Sequence, residues 1–317
     1  MRVLKIAAVI LSIMLLLAAC ATPTTKIRIG TAEEGGTYSV YGSALCDIFT
    51  KARPHTEFEI KNTAGSAANL RLLSDGYLEL AITQSDVADE AYHGFGLFQD
   101  DPRTEYSAVA SLYTEACQIV VRADSTIQTI DNLLGKVVSI GEEGSGVLHN
   151  AQSILECCGL SLDLIDARYL SRAESIQALR DGTIDAFFCT IGAPAQALTE
   201  LAETLPIRLL SLEPHQVERL LKTCPAYLPT TIPANTYPGQ EQNVETIGVR
   251  ALLVASEQLN QKTISALLSA LYDNRDLLPD NAELTLEDIT SGITIPYHPG
   301  AIAFFDAHNI AYEEGRS

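Results

Sequence analysis

The protein has 317 residues and a formal net charge of −19 at pH 7. This length is sufficient for two domains of ordinary size, each with its own core. A protein with so much negative charge lacks the basic face that is needed to bind a nucleic-acid backbone. We therefore expect no nucleic-acid partner.

The N-terminal segment is typical of export. A positively charged start precedes an apolar run over residues 6–19, which is shorter than the ~20 residues that cross a bilayer. The run ends in Leu17-Ala18-Ala19-Cys20, which resembles a bacterial lipobox and implies lipidation of Cys20. We predict a signal peptide over 1–19 and a tether over 20–26; an ordinary signal peptide with a chance cysteine is the alternative. No second spanning segment follows, so we expect the remaining chain outside the cytoplasmic membrane.

A glycine-rich loop opens the mature chain. Residues 27–29 form a short apolar run, residues 29–42 are rich in glycine, and an apolar pattern of helical spacing follows over 40–52. A strand, a loop and a helix start gather backbone N–H groups and the positive end of a helix dipole, which together hold anions. The alternative is that the glycines only permit a tight turn.

The next elements repeat this order. The pattern predicts a strand at 57–61 and a helix at 67–74, then a strand at 78–83 that leads into Gln84-Ser85-Asp86. In open α/β sheets, ligands bind at the carboxyl ends of the strands. The polar loops at these ends are therefore candidate ligand contacts.

The middle of the chain has a similar order of elements. A strand is predicted at 136–140, a glycine loop at 141–146 and a helix at 147–157, and a second helix and strand follow at 174–180 and 183–188. The recurrence suggests two similarly built lobes with two glycine loops around one cleft, although coincidence is the alternative.

Two apolar stretches and one helix complete the predicted fold. The stretches at 118–122 and 247–254 are candidate crossovers of a hinge between the lobes. A helix at 267–278 is predicted to belong to the returning first lobe.

Catalytic and metal-binding patterns are absent from the sequence. There is no Gly-x-Ser-x-Gly elbow, no His-Glu-x-x-His helix and no Gly-Lys-Ser/Thr phosphate loop. The cysteines and histidines lack ligand spacing, so most of the cysteines are interpreted as small buried residues. Ser66 and Ser145 precede helices and are interpreted as N-caps rather than nucleophiles. We expect no enzyme activity, no cofactor and no metal.

Short motifs in a fixed order carry a resemblance over nearly the whole mature chain. They are Ile29-Gly30-Thr31, Gly35-Gly36-Thr37-Tyr38, Thr63-Ala64-Gly65-Ser66, Gln84-Ser85-Asp86, Val121-Arg122-Ala123-Asp124-Ser125, Gly144-Ser145-Gly146, Asp181-Gly182-Thr183-Ile184-Asp185-Ala186, Thr231-Ile232-Pro233, Tyr237-Pro238-Gly239 and Tyr297-His298-Pro299-Gly300-Ala301. In this order they resemble the TAXI-type solute receptors of TRAP transporters.

The resemblance implies an α/β, two-lobed, periplasmic-binding-protein-like (type II) fold with a hinge and an interlobe cleft. Lobe I would comprise 27–124 and 247–317, and lobe II 125–246. The protein would be an extracytoplasmic, lipid-anchored monomer that captures a small organic acid or amino acid, such as glutamate or an oxo-acid. It would deliver the solute to the membrane subunits of a TRAP transporter. The alternatives are a binding lipoprotein of an ABC importer or a sensor, and an extracytoplasmic enzyme on the same fold.

The matched loops also imply a set of ligand-binding residues: Gly36, Thr37, Tyr38, Gly65, Ser66, Gln84, Ser85 and Asp86 on one wall, and Ser145, Gly146, Thr190, Gly192 and Tyr237 on the other. Thr37 and Ser145 are expected to bind opposite ends of the solute. The chain departs from the family pattern where Glu33-Glu34 and Glu142-Glu143 make both glycine loops acidic. Glutamates facing the cleft would favour a solute with an ammonium group or a bridging cation.

Overall fold

The computed structural model describes residues 25–279 and 284–313. The predicted signal peptide and Cys20 lie outside these residues. The last two residues of the predicted tether, Thr25 and Lys26, belong to the first strand. Within the described part of the chain, no helix combines the length and the apolar character needed to cross a membrane.

The described residues contain ten strands and nine α-helices. The strands are β1 Thr25–Gly30, β2 Thr56–Lys61, β3 Leu80–Gln84, β4 Tyr106–Arg122, β5 Val137–Ser139, β6 Asp166–Arg168, β7 Ala186–Ile191, β8 Ile207–Leu209, β9 Leu228–Ile232 and β10 Val244–Ser256. The helices are α1 Thr37–Ala52, α2 Ser66–Ser74, α3 Ser85–His93, α4 Gly146–Cys157, α5 Arg172–Asp181, α6 Gln196–Thr204, α7 Pro214–Thr223, α8 Gln261–Asp273 and α9 Pro299–His308.

Two long antiparallel strands, β4 and β10, run through the middle of the sheet. The main order is β2-β1-β3-β10-β4-β7-β5-β6, while β8 pairs with β4 and β9 with β10. One end of β10 pairs with β3 through residues 251–255, and the other end pairs with β9 through residues 244–248. The neighbours of these strands therefore change partway along their length, as expected for crossovers between two lobes.

The hydrophobic residues also divide at this point. One core cluster draws its buried residues from 27–113 and 251–310, and we call this part lobe I. Two further clusters draw theirs from 116–249, and we call this part lobe II. The fold is thus a two-lobed α/β fold in which β4 and β10 connect the lobes. The lobe boundaries stated above stay a prediction.

A buried asparagine fixes the first two loops of lobe I. Asn69 of α2 donates from Nδ2 to the backbone carbonyls of Thr31 and Ile82, at 2.7 and 2.8 Å, and so holds α2 against the ends of β1 and β3. A Cβ on Gly30 would lie 2.7 Å from Asn69 Oδ1, so only glycine allows this approach. The loops after β1 and β2 are thereby held side by side.

The largest differences from the predicted elements lie in the strands. β4 extends well beyond 118–122 because residues 106–116 are also largely apolar and pair with β10. β10 extends beyond 247–254 at both ends, and its first residues, 244–246, pair with β9. The strand predicted at 183–188 is instead β7, which begins at Ala186 after Asp181-Gly182 has ended α5 in a left-handed cap. The helix predicted at 267–278 is α8, which begins at Gln261 because Asn260 caps it.

The cysteine prediction is only partly correct. All six cysteines in the described residues are free, but only Cys117 and Cys189 are fully buried. Cys46, Cys157, Cys158 and Cys224 are half-buried.

Candidate functional site

A small cavity lies between the lobes, at the carboxyl ends of β1, β3, β5 and β7. Its volume is about 100 Å³, which suits a small molecule better than a peptide. Lobe I contributes the loops after β1 and β2 and the end of β3, and lobe II contributes the loop after β5, the start of α5 and the end of β7.

Five helices begin at the wall of this cavity. The residues at their N-caps line it: Gly36 for α1, Gly65 for α2, Gln84 for α3, Ser145 for α4 and Ser171 for α5. Gly36 and Gly65 have no side chain that could cap a helix, and the side chain of Gln84 makes no cap hydrogen bond. The first N–H groups and the dipoles of these helices therefore give the cavity a positive backbone potential.

A hydrogen-bonded network forms the lobe I wall. The backbone N–H of Gln84 donates to Ser66 Oγ at 3.1 Å, and Ser66 Oγ lies 3.4 Å from the hydroxyl of Tyr38. The Tyr38 hydroxyl donates to Glu115 Oε2 at 3.0 Å. The network joins the starts of three helices to strand β4, so these side chains are positioned together.

Glu115 is the buried acid of this wall. Its side chain is 3% exposed and lines the cavity. Burial raises the pKa of the Glu115 carboxyl to about 8, and the nearby Asp86 adds to the rise. The hydrogen bond from Tyr38 opposes it, as do Gln84 and the charge of Arg172.

An ion pair bridges the lobes at the cavity. Arg172, the first residue of α5, places Nη2 2.7 Å from Glu33 Oε1 in the loop after β1. Nearby, the N–H of Ala68 donates to the carbonyl of Gly144 at 3.1 Å. The lobes therefore touch on both sides of the cavity, and Arg172 is held at its edge.

The acidic glycine loops divide between cavity and solvent. Glu33 and Glu142 line the cavity, whereas Glu34 and Glu143 are exposed. The pKa of Glu142 is raised by partial burial and by the neighbouring carboxylates of Glu33 and Glu174. One acidic residue of each loop thus contributes to the electrostatics of the site.

Most of the predicted ligand-binding residues come together here. Nine of the thirteen line the cavity: Gly36, Thr37, Tyr38, Gly65, Ser66, Gln84, Ser145, Gly146 and Thr190. The Ser145 hydroxyl already donates to the carbonyl of Glu142 and accepts from the N–H of Leu148. Its side chain shapes the loop and caps α4, while Thr37 lies free on the lobe I wall.

Ser85 and Asp86 do not line the cavity. Although they begin α3, both are buried on its other side. The Ser85 hydroxyl donates to the carbonyl of Ala226 at 3.3 Å and accepts from the N–H of Arg250 at 3.0 Å. Asp86 accepts from the side-chain amide of Asn150.

Gly192 and Tyr237 also lie outside the cavity wall. Gly192 is buried beyond the end of β7, next to a cis peptide bond at Ala193-Pro194. The Tyr237 hydroxyl donates to Gln118 Oε1 at 2.9 Å and accepts from the N–H of Ala195 at 3.0 Å. Tyr237 therefore packs inside lobe II instead of facing a solute.

Asp86 belongs to a polar contact between the lobes. His149 of α4 places Nε2 3.4 Å from Asp86 Oδ2 and Nδ1 3.3 Å from Glu90 Oε2. Asn150 links the same carboxylate to the hydroxyl of Thr190, which lines the cavity. Burial is the main cause that raises the pKa values of Asp86 and Glu90, and His149 opposes both shifts.

The sequence interpretation missed two charged residues of the site. Glu115 is the one acidic residue within the apolar run of β4, from Tyr106 to Arg122. Arg172 directly follows Ser171, whose hydroxyl and Glu174 form a capping box. An isolated charge in an apolar strand and a basic residue at a helix start are usable signals, but neither alone identifies a cavity.

No catalytic pair is assembled at the cavity. Of the described residues that line it, none is a histidine, and the hydroxyls of Ser66 and Ser145 are hydrogen-bonded within the wall. His149 contacts Asp86 and Glu90 away from the lining.

A comparison with models of known protein families identifies the family of this chain. The model of the NMT1-like family matches residues 29–307. The chain belongs to the NMT1-like family. In this family member, the match spans both lobes and every loop of the cavity.

Solved structures share its fold at low sequence identity. A protein from Bordetella bronchiseptica RB50 is 13% identical, with a TM-score of 0.54 over 92% of this chain and 85% of that chain. A protein solved with bound L-arginine is also 13% identical, with a TM-score of 0.50 over 80% of this chain and 88% of that chain. The alkanesulfonate-binding protein SsuA from Xanthomonas axonopodis pv. citri, bound to MOPS, is 16% identical, with a TM-score of 0.49 over 93% of this chain and 96% of that chain.

The burial of Glu115 predicts a pH-dependent stability. The unfolded chain ionises this carboxyl near pH 4.5 and the folded protein near pH 8, so the free energy of unfolding falls between these values as pH rises. A pKa shift of this size corresponds to roughly 5 kcal/mol. Glu115→Gln removes this contribution, so without solute its stability advantage over the parent should grow from pH 5 to pH 8.5 in chemical denaturation.

The exposed Glu241→Gln variant is the matched control and should follow the parent at both pH values. The raised pKa values of Asp86 and Glu90 are common to the parent, Glu115→Gln and Glu241→Gln proteins, so their effects on the free energy of unfolding cancel when the proteins are compared. A difference between Glu115→Gln and the parent that is the same at both pH values would contradict the assignment.

Proposed function

We propose that the protein is an extracytoplasmic receptor that binds a small carboxylate solute between its lobes. The observation that carries the proposal is the convergence of five helix N-termini on one interlobe cavity. Backbone N–H groups at helix starts bind carboxylates without a basic side chain. Arg172 at the edge adds a guanidinium, whose planar fork matches a carboxylate.

Binding and lobe closure are coupled in this proposal. A solute that contacts the loops of both lobes binds the closed arrangement better than the open one, and it therefore shifts the population toward closure. β4 and β10 provide the hinge, with lobe I over 27–124 and 247–317 and lobe II over 125–246. In this proposal the protein binds its solute without turnover; among the described residues that line the cavity, no histidine lies beside Ser66 or Cys189 to act as a base.

The solute class proposed is an organic acid or amino acid, with glutamate and oxo-acids as the reference compounds. The ordered motifs that resemble TAXI-type receptors support a TRAP-type secondary transporter as the partner. The lipobox-like ending Leu17-Ala18-Ala19-Cys20 supports attachment to the membrane through Cys20, and the proposed receptor is a monomer.

A thermal-shift panel of amino acids, oxo-acids, dicarboxylates and alkanesulfonates tests the receptor function. A solute that binds only the folded state raises the midpoint of unfolding as its concentration exceeds the dissociation constant. For the best carboxylate, Arg172→Met should weaken binding at least tenfold, because a charge-assisted hydrogen bond contributes about 1.5–3 kcal/mol.

The Glu33→Gln variant distinguishes direct binding of the solute by Arg172 from an effect of Arg172 through its ion pair with Glu33. If the guanidinium binds the solute, removing its intramolecular partner leaves affinity equal or higher. If Arg172 acts only through the ion pair with Glu33, both variants lose affinity equally, which would contradict direct contact. Absence of a shift with every compound would contradict the receptor function.

The transporter partner is tested by uptake. Vesicles that contain the TRAP membrane subunits of the same organism should take up the bound solute when this receptor and an ion gradient are present, without ATP. The matched control adds the Arg172→Met receptor at the same concentration. Uptake that requires an ATP-binding-cassette permease and ATP instead would contradict the TRAP assignment.

The lipid anchor is tested by fractionation. Cys20→Ser should move the mature protein from the membrane fraction to the soluble extracytoplasmic fraction, because the acyl chain is lost. Cys46→Ser, within α1, is the control and should leave the distribution unchanged. Equal membrane association of the Cys20→Ser protein would contradict lipidation at this residue.

A further inference from the structure

Glu115 lies at the point of β4 where the lobes meet. It is paired with Val249 of β10, whose next residues toward lobe I, from Ala251, pair with β3. On the other side, Ala116 begins the pairing with β7 of lobe II. A solute held between the lobes would therefore lie against Glu115, which lines the cavity and is 3% exposed.

This buried carboxyl has no cationic partner. Its polar contacts are with neutral groups, the hydroxyl of Tyr38 and the side-chain amide of Gln84, and within residues 25–279 and 284–313 no lysine, arginine or histidine forms an ion pair with it. Arg172, the cation that lowers its pKa, is paired with Glu33. Buried charges in proteins are paired as a rule, because desolvation without a partner is costly.

A second acceptor lies in the same wall. Gln84 is 3% exposed, and its Oε1 is buried with no hydrogen-bond donor among the described residues. It lies against Gly146, where an added Cβ would overlap the amide. Glu115 and Gln84 together give this wall two hydrogen-bond acceptors. A ligand group with several N–H donors would satisfy both.

Positive groups that can hold a carboxylate also line the cavity. Arg172 lies at the start of α5 and contacts Glu33, and the first N–H groups of α1 and α4 lie on opposite walls. We propose that Glu115 is the subsite for a protonated amino group, so that the solute is an amino acid or another small carboxylate with an ammonium group. This inference rests on the proposed receptor function and selects among its solute classes.

Proton release should accompany such binding. The ammonium group favours the ionised form of Glu115, whose pKa is raised to about 8 by burial without solute. Affinity should therefore rise with pH between about 6 and 8. The groups that interact with Glu115 from the surrounding elements are Tyr38, Tyr41, Asp86, Tyr113, Cys117, Arg172 and Cys189.

These neighbours do not account for a titration in that range. The pKa values of the three tyrosines and the two cysteines are raised by burial, which keeps them neutral. An arginine guanidinium is charged throughout this range. Burial raises the pKa of Asp86, which contacts His149 behind the cavity, and the Glu115→Gln variant leaves that contact in place.

Isothermal titration calorimetry with matched solutes tests the proposal. Each set differs only at one carbon: alanine, pyruvate and lactate, and glutamate, 2-oxoglutarate and 2-hydroxyglutarate. The parent protein should bind the amino acid of the better set at least tenfold more tightly than its oxo and hydroxy analogues. Glu115→Gln should lose this preference, whereas Glu143→Gln, which changes an exposed carboxylate beside the cavity, should keep it.

Titrations in buffers of different ionisation enthalpy measure the number of protons that the unmodified protein releases or takes up when it binds the solute. Net release at pH 7 that disappears in Glu115→Gln supports the subsite. Equal binding of an oxo or hydroxy analogue, an unchanged preference in Glu115→Gln, or net proton uptake would overturn it while the receptor function stands. Failure of every compound, sulfonates included, would overturn both.

Discussion

The antiparallel pairing of β4 with β10 is the constraint on which the rest of the structure depends. Both strands run from one hydrophobic core into the other, so the parallel strands on each side deliver their carboxyl ends to one common gap. The cavity is lined by loops and helix starts at this gap, by the ends of β3 and β7, and by Glu115 of a connecting strand. The site is thus a consequence of sheet topology before any specific side chain is considered.

Two opposing electrostatic contributions meet in that gap. Five helix starts supply a positive backbone potential, while Glu33, Glu115 and Glu142 supply acidic side chains. Three carboxyl groups would repel a plain dianion, and the positive potential of five helix N-termini would repel a simple cation. A solute with separated charges of both signs satisfies both contributions, since each charge then lies against its complement.

The sequence predicts the strand, glycine loop and helix order well, because capping and turn residues act locally. For this reason the residues at helix starts, such as Gly36 and Ser145, are found at the cavity. Local rules do not predict which side of a helix start faces the cavity. Asp86 is two residues from Gln84 in the chain, yet its side chain contacts α4 of the other lobe. Glu115 and Arg172 were missed because their importance arises from long-range packing, which places a lone charge of β4 beside α1 and α5.

The contacts between the lobes explain why such a fold can open and close. They are polar: Glu33 with Arg172 at the cavity edge, and Asp86 and Glu90 with His149 behind it. The apolar residues remain within the separate clusters of each lobe. Because a partly buried ion pair such as Glu33 with Arg172 gives little net free energy after desolvation, it defines the closed geometry without fixing it. The remaining free energy of closure must then come from whatever satisfies the unpaired acceptors of the wall, and this makes closure selective for the solute.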